Sequence, residues 1–335
     1  MSQLYSTLYS SPDRILLSVW CSVCVIAGLI GNTLTLTTSL LLIPTSDVDR
    51  FTTTILRNLA VSDLLYIFTR VLPSLCSHVL GGWSLGDRLC AVEGYVYLVP
   101  VLAGMALILC LSVVKVFVCL VPLRVHSITS KTARVISAVI WVQAALPNLI
   151  CAIAVVDVGV NNEIETICEM NINQSSRVEY TLGIIKNVQI WIPALLILPC
   201  NILLWHLAHQ HTRNHNLSSK KAITTVLSIS ILFVISWIPT VIEEAWRLFV
   251  TDPDIPLWFN KAHINFYFIS SFGNPLLYAL INRRYRDKIM KGIQAPRQIS
   301  SQLFGQRRPW SGSPKTSNSL SKNEHVGTFI TQVQG

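Results

Sequence analysis

Charge is what this sequence has least of. Asp, Glu, Lys and Arg make up 13% of its 335 residues, while 51% are hydrophobic, and the mean hydropathy is +0.51. Soluble domains carry about a quarter charged residues, so the chain lacks the polar surface that keeps a globule in water. A bilayer removes that requirement, because lipid accepts apolar side chains on the outside of a bundle. Acidic residues are the scarcer sign: 17 Asp and Glu against 26 Lys and Arg leave a formal net charge of +9. The basic residues sit in short segments between long apolar runs, which fits a cytoplasmic membrane face and not a nucleic-acid partner. Cysteine motifs are missing as well. The nine cysteines are scattered, with no CxxC pair and no His-Cys cluster, which argues against a metal centre. A cleavable signal peptide is not expected. The first apolar run, Ile15 to Ile43, is 29 residues long without a charge. A signal peptide's apolar region has roughly 7–15 residues, so this run reads as a membrane span that also directs insertion.

In place of charge there are seven apolar segments, each near or above the ~20 residues that cross a hydrocarbon core. They cover roughly 15–43, 51–80, 88–121, 132–156, 179–208, 221–250 and 257–281. Lipid offers no partner for unpaired backbone groups, so each must be helical, and the expected fold is an all-α seven-transmembrane bundle. Pro73, Pro100, Pro147, Pro193, Pro199, Pro239 and Pro275 fall inside these segments. In a bundle they produce kinks that neighbouring groups compensate.

Loop charges predict the direction. Arg124, Lys131 and Arg134 lie between spans three and four, Arg213, Lys220 and Lys221 between five and six, and Arg283 to Lys291 after span seven. The opposite loops carry Asp157, Glu163, Glu165, Glu169 and Glu179, and then Glu243, Glu244, Asp252 and Asp254. The positive-inside rule puts the C-terminus in the cytoplasm and residues 1–14 outside, with the helical domain over 15–292. Cys90 and Cys168 then share the outer side, where oxidation can join them, and Asn173 begins a glycosylation sequon in the same loop. Residues 293–335 form a polar tail rich in Ser and Thr, of a composition that is expected to stay disordered.

Polar residues inside a membrane are costly and point to functional sites. Asn32, Asp63 and Asn274 lie at similar depth in spans one, two and seven and are expected to form one polar centre holding water or sodium, with Asp63 and Asn274 as the sodium ligands. No other cofactor is implied. Arg70 stands two helical turns from Asp63 on the same face, too deep to snorkel easily, and Lys186 sits in span five.

From about Ile15 to Lys291 the chain resembles the rhodopsin-like G-protein-coupled receptors. The resemblance rests on Gly31-Asn32 in span one, Asn58-Leu59-Ala60-Val61-Ser62-Asp63 in span two, Trp83 and the Cys90/Cys168 pair, and Trp141 in span four. It continues with Phe233 and Ser236-Trp237-Ile238-Pro239 in span six and Asn274-Pro275-Leu276-Leu277-Tyr278 in span seven. The stretch after span seven is similar to the family's short amphipathic eighth helix. The resemblance implies a receptor for an extracellular ligand with a heterotrimeric G protein as partner, and arrestin through a phosphorylated tail. Its activation switch would comprise Asn32, Asp63, Lys115, Phe233, Trp237, Pro239, Asn274, Pro275 and Tyr278. Trp237 beside the Pro239 kink would swing the cytoplasmic end of span six as the Asn274, Asp63 and Tyr278 chain rearranges.

Four departures stand out. The Asp-Arg-Tyr triplet that ends span three in the family is Val114-Lys115-Val116 here. Lys115 keeps a positive charge but not the planar guanidinium, and Val114 removes the carboxylate that restrains it. The span-five tyrosine is replaced by Asn201 or Leu207, depending on which of Pro193 and Pro199 sets the register, and Ser219 stands where some members have an acidic lock residue. No cysteine follows Cys200 to carry a palmitoyl group. A less firmly held resting state with weakened or altered coupling is therefore expected, and a non-coupling or arrestin-biased decoy receptor is the alternative.

The ligand is constrained by the same resemblance. Amine receptors have an aspartate where this chain has Tyr97, and opsins a retinal-binding lysine where it has Phe268. The expected contacts are Arg70, Tyr97, Lys186, Trp237 and Glu244. Arg70 and Lys186 would meet a carboxylate, while Glu93, Glu243 and Glu244 would meet a cation, a combination that suits a peptide. An anionic lipid is the alternative within receptors. A seven-span transporter would show repeats or stacked ionisable residues, and neither is evident. His206, His209 and His211 lack supporting Cys or Glu and read as interfacial residues, so no enzyme is expected.

Overall fold

The computed structural model describes residues 9–41, 44, 46–121, 128–153, 158–160, 166–170, 177–212, 217–250, 255–281 and 286–287. Asn173, the tail and nearly all of the expected eighth helix lie outside the described residues. So do the side chains of Phe233, Glu244 and Tyr278.

The chain opens with α1 (Ser11–Leu41). It starts four residues before the apolar run because Ser10 and Asp13 cap it reciprocally, each backbone N–H donating to the other's side chain at 3.3 Å. α2 (Asp47–Tyr66) is capped by Ser46, whose hydroxyl accepts from the Asp49 N–H at 3.1 Å. It passes through a π-turn, Ile67–Val71, into α3 (Leu72–Leu80). Pro73 explains the wider turn: with no N–H it cannot continue the α ladder, and Leu72 instead donates to the Ile67 carbonyl. α4 (Asp87–Val96) and α5 (Leu98–Leu120) form the third span, broken at Tyr97 where Pro100 leaves the Val96 carbonyl without its α-helical donor. α6 (Ser130–Ile153), α7 (Arg177–Thr212) and α8 (Leu217–Phe249) follow, and the seventh span is divided at Ile269 into α9 (Leu257–Phe268) and α10 (Ser270–Ile281). Between α6 and α7, β1 (Val158–Val160) and β2 (Cys168–Met170) form a small antiparallel hairpin that the apolar pattern did not predict.

Among the described residues five helices are long and apolar enough to cross a membrane, and α8 adds a shorter apolar stretch over Leu227–Glu243. Neighbouring helices close a ring: α1 packs on α2 and on α10, α2 on α6, α6 on α7, α7 on α8, and α8 on α9 and α10. The third span runs through the middle. Its apolar window is 61% buried, against 28% for spans one, four and five. Ile15, Ile26, Val139, Leu195 and Trp258 point outward as a lipid-facing surface would require.

Two interior prolines leave carbonyls that a neighbouring helix satisfies. Pro147 frees the Gln143 carbonyl of α6, and Gln189 of α7 donates its amide there at 2.5 Å. Pro275 frees the Ser271 carbonyl, and Asn32 of α1 donates to it at 2.7 Å. The close approach of α1 to α10 also explains Gly31, where a Cβ would lie 2.7 Å from the Pro275 ring.

Candidate functional site

The disulfide between Cys90 and Cys168 ties β2 to the start of the third span, with Cα atoms 5.3 Å apart. The hairpin lies so close to α4 that a Cβ on Gly94 would meet Val158 Cγ1 at 2.4 Å. Beneath it sits Arg70, aimed inward from the π-turn and 3% exposed. Its Nη1 donates to Glu93 Oε1 at 3.0 Å and to the Cys168 carbonyl at 2.9 Å, and its Nη2 to Glu169 Oε1 at 2.8 Å. Glu93 Oε2 in turn accepts from the Cys168 N–H at 3.2 Å. The Tyr97 ring lies 3.9 Å below the guanidinium carbon. One buried cation thus holds two carboxylates and the hairpin's backbone. Glu93 is buried with it, whereas the Glu169 side chain is 37% exposed.

An aromatic layer continues inward. Tyr66 meets Tyr267 edge-on at 4.7 Å between ring centroids, and Tyr267 meets Trp237 edge-on at 4.3 Å. Both tyrosine hydroxyls are buried. All three rings line a cavity that reaches down to Asp63 and Asn274, walled by Met105 and Leu232. At its base Asn274 Nδ2 donates to Asp63 Oδ2 at 3.0 Å. Asn32 joins this region through the Ser271 carbonyl and its own Gly28 carbonyl, and not through Asp63 itself.

Among the described residues that line it, the cavity has a single carboxyl group, Asp63, together with the side-chain oxygens of Ser62, Ser270 and Asn274. Ser62 and Ser270 direct their protons to the carbonyls of Pro100 and Tyr267, which leaves their lone pairs as acceptors. An all-oxygen donor set of this kind is what hard cations take. No group of three His, Cys, Asp or Glu side chains that could hold a metal occurs among the described residues.

At the far end of the third span, Lys115 donates to Thr52 Oγ1 at 3.1 Å. One turn earlier, Asn201 Nδ2 donates to Ser112 Oγ at 3.2 Å, and Ser112 and Ser230 hydroxyls meet at 3.3 Å, joining spans three, five and six. Trp141 donates to Asn58 Oδ1 at 3.0 Å.

The structure therefore brings together Arg70 and Tyr97 at the disulfide end, and Trp237, Asp63 and Asn274 around the cavity. Lys186 is half-buried on α7, and Glu243 is buried on α8. Glu93, which the sequence offered as an acid able to meet a cation near the entrance, is bonded to Arg70. Sequence reasoning passed over Glu169, Tyr66, Tyr267 and Thr52. Tyr267 was findable, since it shares a helical face with Ser270, Ser271 and Asn274.

A ring of apolar helices closed around a polar interior defines a multi-pass membrane protein. Residues 31–278 match the model of the 7 transmembrane receptor (rhodopsin family), and the chain belongs to that family of receptors, which are not enzymes. It is 26% identical to G-protein coupled receptor 183 of Bos taurus, covering 86% of this chain and 83% of that protein. It is 25% identical to the QRFP-like peptide receptor of Branchiostoma floridae, over 82% of this chain and 78% of the relative. Cysteinyl leukotriene receptor 2 of Homo sapiens is 24% identical, over 71% and 70% respectively.

Proposed function

We propose that this receptor binds an extracellular peptide at the disulfide end and passes a conformational change through Trp237 to a heterotrimeric G protein at the Lys115 end. In this reading the N-terminus is outside and the C-terminus cytoplasmic, in the plasma membrane, with Asn173 glycosylated. The observation that carries it is the succession of two contact sets between the hairpin and the switch. Glu169 meets Arg70, Arg70 covers Tyr97, and Tyr66, Tyr267 and Trp237 line the cavity that ends at Asp63 and Asn274. A ligand that exchanges with Glu169, or presses on Tyr97 and Trp237, acts on one end of this succession. Lys186 and Glu244 are the further proposed contacts.

A peptide suits the mixture of acids and cations at this end, and one relative is named a peptide receptor. Sodium at Asp63 and Asn274 would stabilise the unliganded arrangement, and its loss would accompany the rearrangement of Asn32, Lys115, Phe233, Pro239, Pro275 and Tyr278. Phosphorylation of the tail would recruit arrestin. Val114-Lys115-Val116 supports a second reading, a decoy that binds ligand without coupling.

The deciding experiment expresses the receptor with a panel of G-protein reporters and applies pooled peptides and, separately, anionic lipids. Peptide-evoked activation that Trp237→Ala abolishes at unchanged surface level is the expected result. Activation by lipids alone would replace the peptide assignment. Ligand binding with silence toward every G protein would favour the decoy.

A further inference from the structure

A lysine ammonium buried in a membrane bundle is costly unless other groups hold it. Lys115 is 8% exposed near the end of α5. The preceding Val114 is half-buried, packs against the apolar core and offers no polar atom. Its hydrogen-bond acceptor comes from another helix. Thr52 Oγ1 accepts its proton at 3.1 Å, and the charge of Asp49, in the first turn of α2, favours the ammonium from a longer distance. That stretch of α2 is itself anchored. The Ser46 hydroxyl caps the Asp49 N–H, and Arg57 donates through Nε to Ser39 Oγ at 3.1 Å and through Nη2 to the Ser39 carbonyl on α1.

We infer that Thr52 and Asp49 are positioning residues for Lys115. They fasten the end of span three to span two and supply the restraint that an acid at position 114 would otherwise give. The resting arrangement is then held by a contact between helices, with the hold moved to the α2 side of the bundle. A partner that needs the Lys115 ammonium must first draw it off Thr52 and out of the field of Asp49. The signalling half of this inference rests on the proposed coupling to a G protein.

The test uses the full-length receptor in lipid nanodiscs. An amine-reactive ester labels its lysines, and the rate at Lys115 is read by peptide mass spectrometry. Thr52→Val removes the acceptor and is expected to raise the Lys115 labelling rate on the order of tenfold, as befits a lost hydrogen bond to a charged group. Thr52→Ser keeps the acceptor and is expected to label as wild type. Asp49→Asn, at a half-exposed position, is expected to raise the rate in the same direction and serves if the valine variant folds poorly. In cells, ligand-free signalling rises with the labelling rate. Unchanged Lys115 labelling in Thr52→Val and Asp49→Asn overturns the inference. Faster labelling that Thr52→Ser does not show, with signalling still at background, supports the tether and overturns the coupling reading instead.

Discussion

Asn32 on α1 donates its amide to the carbonyl of Ser271, 2.7 Å away, the carbonyl that Pro275 deprives of its helical partner. A proline that would break an isolated helix is accommodated by a donor on the neighbouring one, and the glycine before that donor makes room for the proline ring. The first and seventh spans are thus fitted to each other residue by residue.

Replacing Asn32 by Leu leaves the Ser271 carbonyl buried and unpaired. We expect a loss of about 1–3 kcal/mol, read as a lower thermal midpoint of the detergent-purified receptor. Asn32→Leu combined with Pro275→Ala, which returns an N–H to position 275, is expected to recover part of it. An unchanged midpoint in the single variant would show that the carbonyl needs no donor.

Arg70 and Glu93 form a buried pair, so the two halves depend on each other. Arg70→Leu strands the Glu93 carboxylate and is expected to cost about 3–5 kcal/mol, whereas Arg70→Leu with Glu93→Leu is expected to cost clearly less. Surface expression and thermal midpoint together measure this. Equal losses in the single and double variants would mean that the hairpin's backbone contact with Arg70, and not the ion pair, dominates.

Exchange of choline chloride for sodium chloride at constant ionic strength is expected to raise the thermal midpoint. A ligand at roughly a hundred times its dissociation constant adds about 2.7 kcal/mol of stability. Asp63→Asn removes the cavity's carboxylate and is expected to abolish the sodium dependence. A sodium effect of wild-type size in Asp63→Asn would place the ion elsewhere.

Tyr267 stands between Tyr66 and Trp237, edge-on to both rings, and such ring pairs contribute about 0.5–1.5 kcal/mol beyond their buried area. Tyr267→Ala is expected to lower the maximal response to an activating peptide from the pooled screen several-fold, with binding affected less. Equal binding and response to wild type would remove Tyr267 from the succession between hairpin and switch.

Much of this architecture was legible in the sequence, for physical reasons that differ from part to part. Spans announce themselves because lipid demands long uncharged runs. Asp63, Arg70 and Asn274 stood out because polar groups in such runs are expensive. The partners of those groups were harder to read. Glu169 reaches Arg70 across 99 positions of sequence, through a hairpin whose strands are three residues each. Glu93 was legible as an acid near a span's end, but its bond to Arg70 on another helix was not. Pro73 foretold a disturbance in the second span but not a π-turn, and it is the π-turn that carries Arg70. At the other end, Val114-Lys115-Val116 read as a lock removed. Thr52, an ordinary threonine on a helix, carries no signal by itself, and only the packing of α2 against α5 brings it to Lys115.

The hairpin is joined to span three by a covalent bond and to span two by Arg70. Spans two and three are therefore stapled to each other through the hairpin, one by a side chain and one covalently. A ligand entering at this end, as proposed, would meet two walls and a roof that shift as one piece.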